Sequence, residues 1–247
     1  MGRKPNIDAS FYRIDLTTMN NKKSYSYNGK KLSSGEIKKE FDSLEKIDIS
    51  DENHRRALHD LFPSYLLSQR DNVDWELFLA MNRYDRRNQT FVAGCFDNQP
   101  LDFKLISYKP RVKDGVKWRT RAGTSPNSTP FVRIYTDSEI IYIPEGHRDS
   151  LTAVLLGLDF IMIPYAGFRL KEPSELQSEI RNRDLVFIVE DEAAYTCMTK
   201  VSEHLRETAK SICLIELSDT DEKIDLSDYV KNFKTIQEVT DGLRNRR

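Results

Sequence analysis

The sequence predicts an α/β protein in which a parallel sheet flanked by helices follows a smaller, mixed α+β N-terminal region. After Thr136 short apolar runs alternate strictly with helical segments. Those runs are apolar on both faces, as strands are when helices cover both sides of a parallel sheet. Before them lies a helical apolar pattern followed by a hairpin signal. The 247 residues, 38% hydrophobic and 31% charged, are enough to bury a sizeable core under a well-solvated surface.

Residues 1–50 are rich in Lys, Asn, Ser and Asp, include Tyr25 and Tyr27, and predict weak order or an arm packed on the body. From 51 to 87, Leu58, Leu61, Phe62, Leu66, Leu67, Trp75, Leu77, Phe78 and Met81 recur at helical spacing. Pro63 and the polar stretch 69–74 interrupt them, which predicts two helices. Residues 90–96 (TFVAGCF) and 101–108 (LDFKLISY), joined by the turn residues 97–100, predict a β-hairpin. A Gly/Pro/Ser/Asn-rich loop follows at 123–130.

Beyond it, strands are predicted at 139–144 (EIIYIP), 158–164 (LDFIMIP), 184–189 (DLVFIV) and 212–217 (ICLIEL). The helices between them fall at 149–156, stopped by Gly157, at 173–181 with Ser174 near its cap, and at 192–210. Ala194, Met198, Val201 and Leu205 share one face of the last. The expected organisation is therefore a charged arm plus helical region at 1–88, a basic β-rich subdomain at 89–136, and the parallel-sheet domain with a C-terminal helix at 137–247.

A formal net charge of −1 excludes a uniformly basic protein, so any basic surface is local. Cys95, Cys197 and Cys213 form no CxxC pair and no disulfide framework, which points to a reducing, cytoplasmic compartment. No apolar run is long enough to span a membrane, so no membrane partner is expected. There is no G-x-S-x-G elbow for a nucleophilic serine and no P-loop for a helicase motor. His54 and His59 lie five apart, off the spacing of a helical metal pair.

The acidic residues hold the chemistry. In open parallel sheets ligands bind beyond the carboxyl ends of the strands, where loops and helix N-termini converge. Glu145 follows the first predicted strand, Glu190, Asp191 and Glu192 follow the third, and Asp225 and Asp228 lie a few residues beyond the fourth. Converging carboxylates raise one another's pKa and usually need a cation, and oxygen ligands without Cys or His suit Mg²⁺ or Mn²⁺. A blander account stands beside this one: acids at helix N-termini are favoured by the dipole and by capping.

The stretch Ile143-Pro144-Glu145-Gly146-His147-Arg148-Asp149 resembles the first motif of the Toprim domains of bacterial and phage DnaG-type primases, a strand ending in Glu-Gly with an Asp three residues on. The resemblance implies a Toprim-like, Rossmann-like sheet, with Glu145 and Asp149 as catalytic residues and Glu145 also linked to metal. Phe187-Ile188-Val189-Glu190-Asp191-Glu192-Ala193-Ala194 is similar to the second motif, Asp-x-Asp-x-Ala-Gly, but places Val189 where the first aspartate belongs. Valine cannot bind a cation, so Glu190 and Asp191 together become the expected second-motif ligands. Lys223-Ile224-Asp225-Leu226-Ser227-Asp228-Tyr229 resembles the Lys-Asp-x-x-Asp tail of phage-type primases with one extra residue, which adds Asp225 and Asp228 to the metal set.

Between Lys104 and Arg133 eight basic residues face one acid, Asp114. Trp118 between Lys117 and Arg119 suits phosphate contact with base stacking, although a solvated strand face with a core tryptophan would read the same way. In order and spacing this segment is similar to the basic region before Toprim in bacterial primases, which implies that Arg111, Lys113, Lys117, Trp118, Arg119 and Arg121 bind nucleic acid. The resemblance thus implies a metal-dependent nucleotidyltransferase, a primase-like protein of phage or mobile-element DNA replication. Its partners would be single-stranded DNA and nucleotides, with a separate replicative helicase as a further candidate. A Toprim nuclease of repair or phage defence, and a catalytically depleted Toprim module that binds nucleic acid or a partner, are the alternatives.

Overall fold

The computed structural model of the protein describes residues 32–68, 75–97, 104–111, 131–134, 138–164, 170, 174–220 and 223–247. Residues 1–31 of the arm expected at 1–50, the hairpin turn, the loop at 123–130 and most of the basic segment lie outside the described residues.

The described residues form two sheets. The first begins with α1 (Ser34–Asp42), which a capping box starts: the Ser33 hydroxyl accepts from the Glu36 amide, and the Glu36 carboxylate accepts from the Ser33 amide. After β1 (Glu45–Lys46) come α2 (Glu52–His59), capped by Asp51, then α3 (Ser64–Ser68) and α4 (Trp75–Met81). The chain then enters β2 (Asn82–Asp85), β3 (Thr90–Asp97) and β4 (Lys104–Pro110), and the four strands form an antiparallel sheet in the order β1-β2-β3-β4. The described residues of the segment expected to hold two helices thus form three and a strand. Asn82 accounts for the strand's start: fully buried, it donates its side-chain amide to the Phe78 carbonyl, closing α4. Its backbone pairs in register with Ala93.

The second sheet takes β5 (Phe131–Arg133), β6 (Ile140–Ile143), β7 (Phe160–Met162), β8 (Asp184–Val189) and β9 (Ser211–Glu216) in the order β5-β7-β6-β8-β9. The strands β7, β6, β8 and β9 are parallel, and β5 runs antiparallel to β7. The crossovers are α5 (Gly146–Leu156), α6 (Ser174–Ile180) and α7 (Glu192–Leu205), and α8 (Leu226–Tyr229) and α9 (Ile236–Asn245) follow β9.

The period of two along each strand divides the core. Ile141, Ile143, Ile161, Leu185, Phe187 and Val189 pack with Leu176, Ile180, Met198 and Val201 of α6 and α7. Tyr142, Phe160, Met162, Val186 and Ile188 pack with α5, α8 and α9, and that cluster continues into Phe41, Phe62, Phe78 and Phe91 of the N-terminal region. From β6 the chain winds to β7 on one side, and β8 lies on the other. The strand order therefore reverses at β6, and the crevice above the β6 and β8 ends is where such sheets place a ligand.

Candidate active site

Glu145 stands at the end of β6 as the residue before α5. Its backbone is pinned by β7: the Gly146 amide donates to the Ile163 carbonyl at 2.7 Å, and the Ile163 amide to the Pro144 carbonyl at 3.0 Å. Gly146 has φ +77°, a left-handed conformation that L side chains resist, while a Cβ there would meet nothing within 4 Å. Backbone conformation is thus what requires the glycine at this strand-to-helix turn. The expected helix 149–156 begins earlier because Glu145 takes the cap position without a side-chain cap hydrogen bond, a start that no Ser, Thr, Asp or Asn announces.

Arg148 and Asp149 turn toward α8. Arg148 spreads its guanidinium between two carboxylates, with Nη1 3.2 Å from Asp225 Oδ2 and Nη2 2.9 Å from Asp228 Oδ1. Asp149, 4% exposed, accepts from the Leu226 amide at 2.9 Å, the Ser227 amide at 3.1 Å and the Ser227 hydroxyl at 2.7 Å. Burial and then the neighbouring Asp225 charge push the Asp149 carboxyl upward, against the pull of those three donors. Thr152 continues the buried network to the Ser227 hydroxyl at 2.9 Å.

At the end of β8, burial, then Asp225 and Asp191, raise the Glu190 carboxyl. Asp191 caps α7 through the Ala194 amide at 2.8 Å and pairs with Lys223 Nζ at 2.8 Å. Burial pushes it up, but these partners leave it below the ordinary carboxylate range. Asp225 caps α8 through the Asp228 amide, and burial holds its carboxyl above the usual range although Arg148 opposes this. Asp228 takes Lys231 Nζ at 2.6 Å on the oxygen that also receives Arg148. Beside these groups, between the ends of β8 and β9, lies a cleft of about 610 Å³ lined by Glu190, Asp191, Glu192, Glu216 and Lys223, with the half-exposed Tyr195 at its wall.

Among the described residues no three His, Cys, Asp or Glu side chains converge as a metal-binding group. Val189, which occupies the motif position of an aspartate, is 2% exposed and packs in the core on the α7 side. Glu145 and Glu190 are hard oxygen donors of the kind Mg²⁺ or Mn²⁺ takes, and they follow the paired strands β6 and β8. Of the expected nucleic-acid residues, Arg111 is described: it extends β4, 3.7 Å from Asp60, and Lys113, Lys117, Trp118, Arg119 and Arg121 lie outside the described residues.

No protein-family model and no curated protein matches the chain. Among solved structures, the DnaG primase catalytic domain bound to ssDNA superposes on 85% of this chain and 79% of its own, with a TM-score of 0.54 at 8% identity. The chain has the fold of a DnaG-type primase core. A DNA primase domain from Pseudomonas aeruginosa (TM-score 0.47, 10% identity, 67% of this chain and 56% of that one) is similar too. So is a DnaG catalytic core (TM-score 0.47, 13% identity, 85% and 62%). Within this primase-type fold the five-stranded sheet is the Toprim-like part, and the antiparallel sheet precedes it.

Sequence reasoning missed the groups that give this primase-type edge its electrostatics. Arg148 lies inside the first motif, but its partners are 77 and 80 residues away. His147 is 8% exposed, and Lys109 Nζ on β4 donates to its Nδ1 at 3.1 Å. Burial, then the Lys109 charge, push the imidazole down to about 3, so it is neutral and acts as an acceptor. The one local signal was the alternation of Lys109 and Arg111, which puts both on the same side of β4.

Proposed function

We propose that the chain is a primase-like protein that binds single-stranded nucleic acid and joins nucleotides during phage or mobile-element replication, with one Mg²⁺ or Mn²⁺ held at Glu145 and Glu190. The placement of these two carboxylates at the ends of adjacent parallel strands, where the strand order reverses, carries the proposal. Burial, then the charges of Asp225 and Asp191, raises Glu190, and a bound cation would relieve the part due to the charges. One or two carboxylates are a common protein share of a Mg²⁺ shell, with water and phosphate oxygens filling the rest. The ion's contribution is charge neutralisation on those phosphate oxygens.

The chain's own residues supply the positioning. Lys109 and Arg111 present charge along β4 as it leads into the basic segment 113–121, the proposed track for a strand. The likeness to a primase domain seen with ssDNA supports the same assignment. Catalysis of this type rests on orientation and electrostatics, so removing the Glu145 charge removes activity and spares the fold. On a single-stranded template with nucleotides and Mn²⁺, the wild type is expected to make primers and Glu145→Gln none, with unchanged circular dichroism. Synthesis by Glu145→Gln at the wild-type rate would refute the proposal, and shortening of the template without nucleotides would turn it toward a nuclease.

A second reading, a binding module without chemistry, is favoured by the buried Val189 at the motif position. Calorimetric titration with Mn²⁺ beside single-stranded DNA separates the two readings, since a chain that binds no ion there is the module.

A further inference from the structure

We infer that Arg148 is the resident cation of the acidic edge: its guanidinium occupies, between Asp225 and Asp228, the place a second divalent ion would take, and so restricts the edge to one ion. The inference rests on the proposal above for its first ion, at Glu145 and Glu190, and on separate contacts for the second place.

The Arg148 side chain is 11% exposed and that of Asp225 21%, so this pair meets largely out of water. Each oxygen of Asp225 is engaged, Oδ2 by Arg148 and Oδ1 by the Asp228 amide at 2.7 Å. Asp228 Oδ1 is shared by Arg148 and Lys231. Two carboxylates thus meet two cations, and the pair retains no net charge to draw a metal ion. Guanidinium stays protonated at any working pH, and its planar fork spans two acceptors as a lysine cannot.

The position of Arg148 points the same way. It is the third residue of α5, in the first turn, where the helix dipole disfavours a cation. A residue placed against that field needs a compensating partner, and the two aspartates of α8 and its cap supply it. The neighbouring Asp149 fastens the same helix by its three hydrogen bonds, so consecutive residues of the first motif clamp the tail.

Mn²⁺ titration of the full chain, followed by calorimetry and by the electron paramagnetic resonance of free Mn²⁺, tests this. The wild type is expected to bind one ion, Asp228→Asn to keep its affinity, and Arg148→Met to bind a second ion. A wild type that binds two ions overturns the inference. So does Asp228→Asn with affinity lowered by about tenfold or more, as loss of a group supporting the metal would give. Arg148→Met that folds and gains no ion overturns it as well, and should that variant fail to fold, Asp228→Asn decides. If the wild type binds no ion yet Arg148→Met binds one, the inference stands and the metal part of the proposed function falls.

Discussion

Asp149 receives the two amides and the hydroxyl that open α8, in a place where water cannot substitute for them. Asp149→Ala would leave these donors buried without their acceptor, and urea unfolding should show a loss of about 3 kcal/mol. A group held only for catalysis would show no such loss. Glu190 gives a pH signature. Its folded pKa is raised, so its favourable contribution is complete below the ordinary carboxylate value and disappears as pH rises through the folded one. The melting temperature of Glu190→Gln relative to wild type should therefore climb between acidic and neutral pH, and a flat difference would contradict the shift. That carboxylates gather at this edge was legible, because each follows a predicted strand. What each one touches was not, since Arg148 meets Asp225 and Asp228 through a fold that brings distant segments together.

At the level of elements, the turn from β6 into α5 depends on one backbone conformation. Gly146→Ala places a Cβ at φ +77° with open space around it, so strain alone is tested. Thermal unfolding should register a loss of about 1–2 kcal/mol, and an unchanged melting temperature would show that the turn can relax. The apolar strands β6, β8 and β9 were readable within a residue or two, since apolar runs flanked by helical patterns have few other solutions. The short pieces were not. β1, β2 and β5 have two to four residues each, and ladder partners fix them more than local pattern does. The α1 helix was legible in principle, because Ser33 and Glu36 spell its capping box ahead of Ile37 and Phe41.

Across the whole molecule, one apolar cluster runs from Ile37 through the α5 face of the parallel sheet to Leu243. Tyr65 adds a polar tie, donating its hydroxyl to the Val230 carbonyl at 2.7 Å. Burial on this scale joins the antiparallel sheet to the parallel one, so unfolding should be a single cooperative event. Near-ultraviolet circular dichroism, sensitive to Trp75 stacked on Phe78, should lose its signal at the same urea concentration as the helices, and two separated transitions would count against a shared core. The fold class was legible from the alternation after Thr136. The strand order was not, because sequence periodicity records which faces are buried and says little about which strand lies beside which.

The Lys109–His147 contact joins β4 of the antiparallel sheet to α5, the helix that follows Glu145. Since the imidazole is neutral and buried, its Nδ1 depends on a donor arriving from the antiparallel sheet. The two positions are therefore one heritable unit: in diverged copies of this chain, loss of the lysine should be accompanied by replacement of the histidine, and a collection of such sequences would show them changing as a pair.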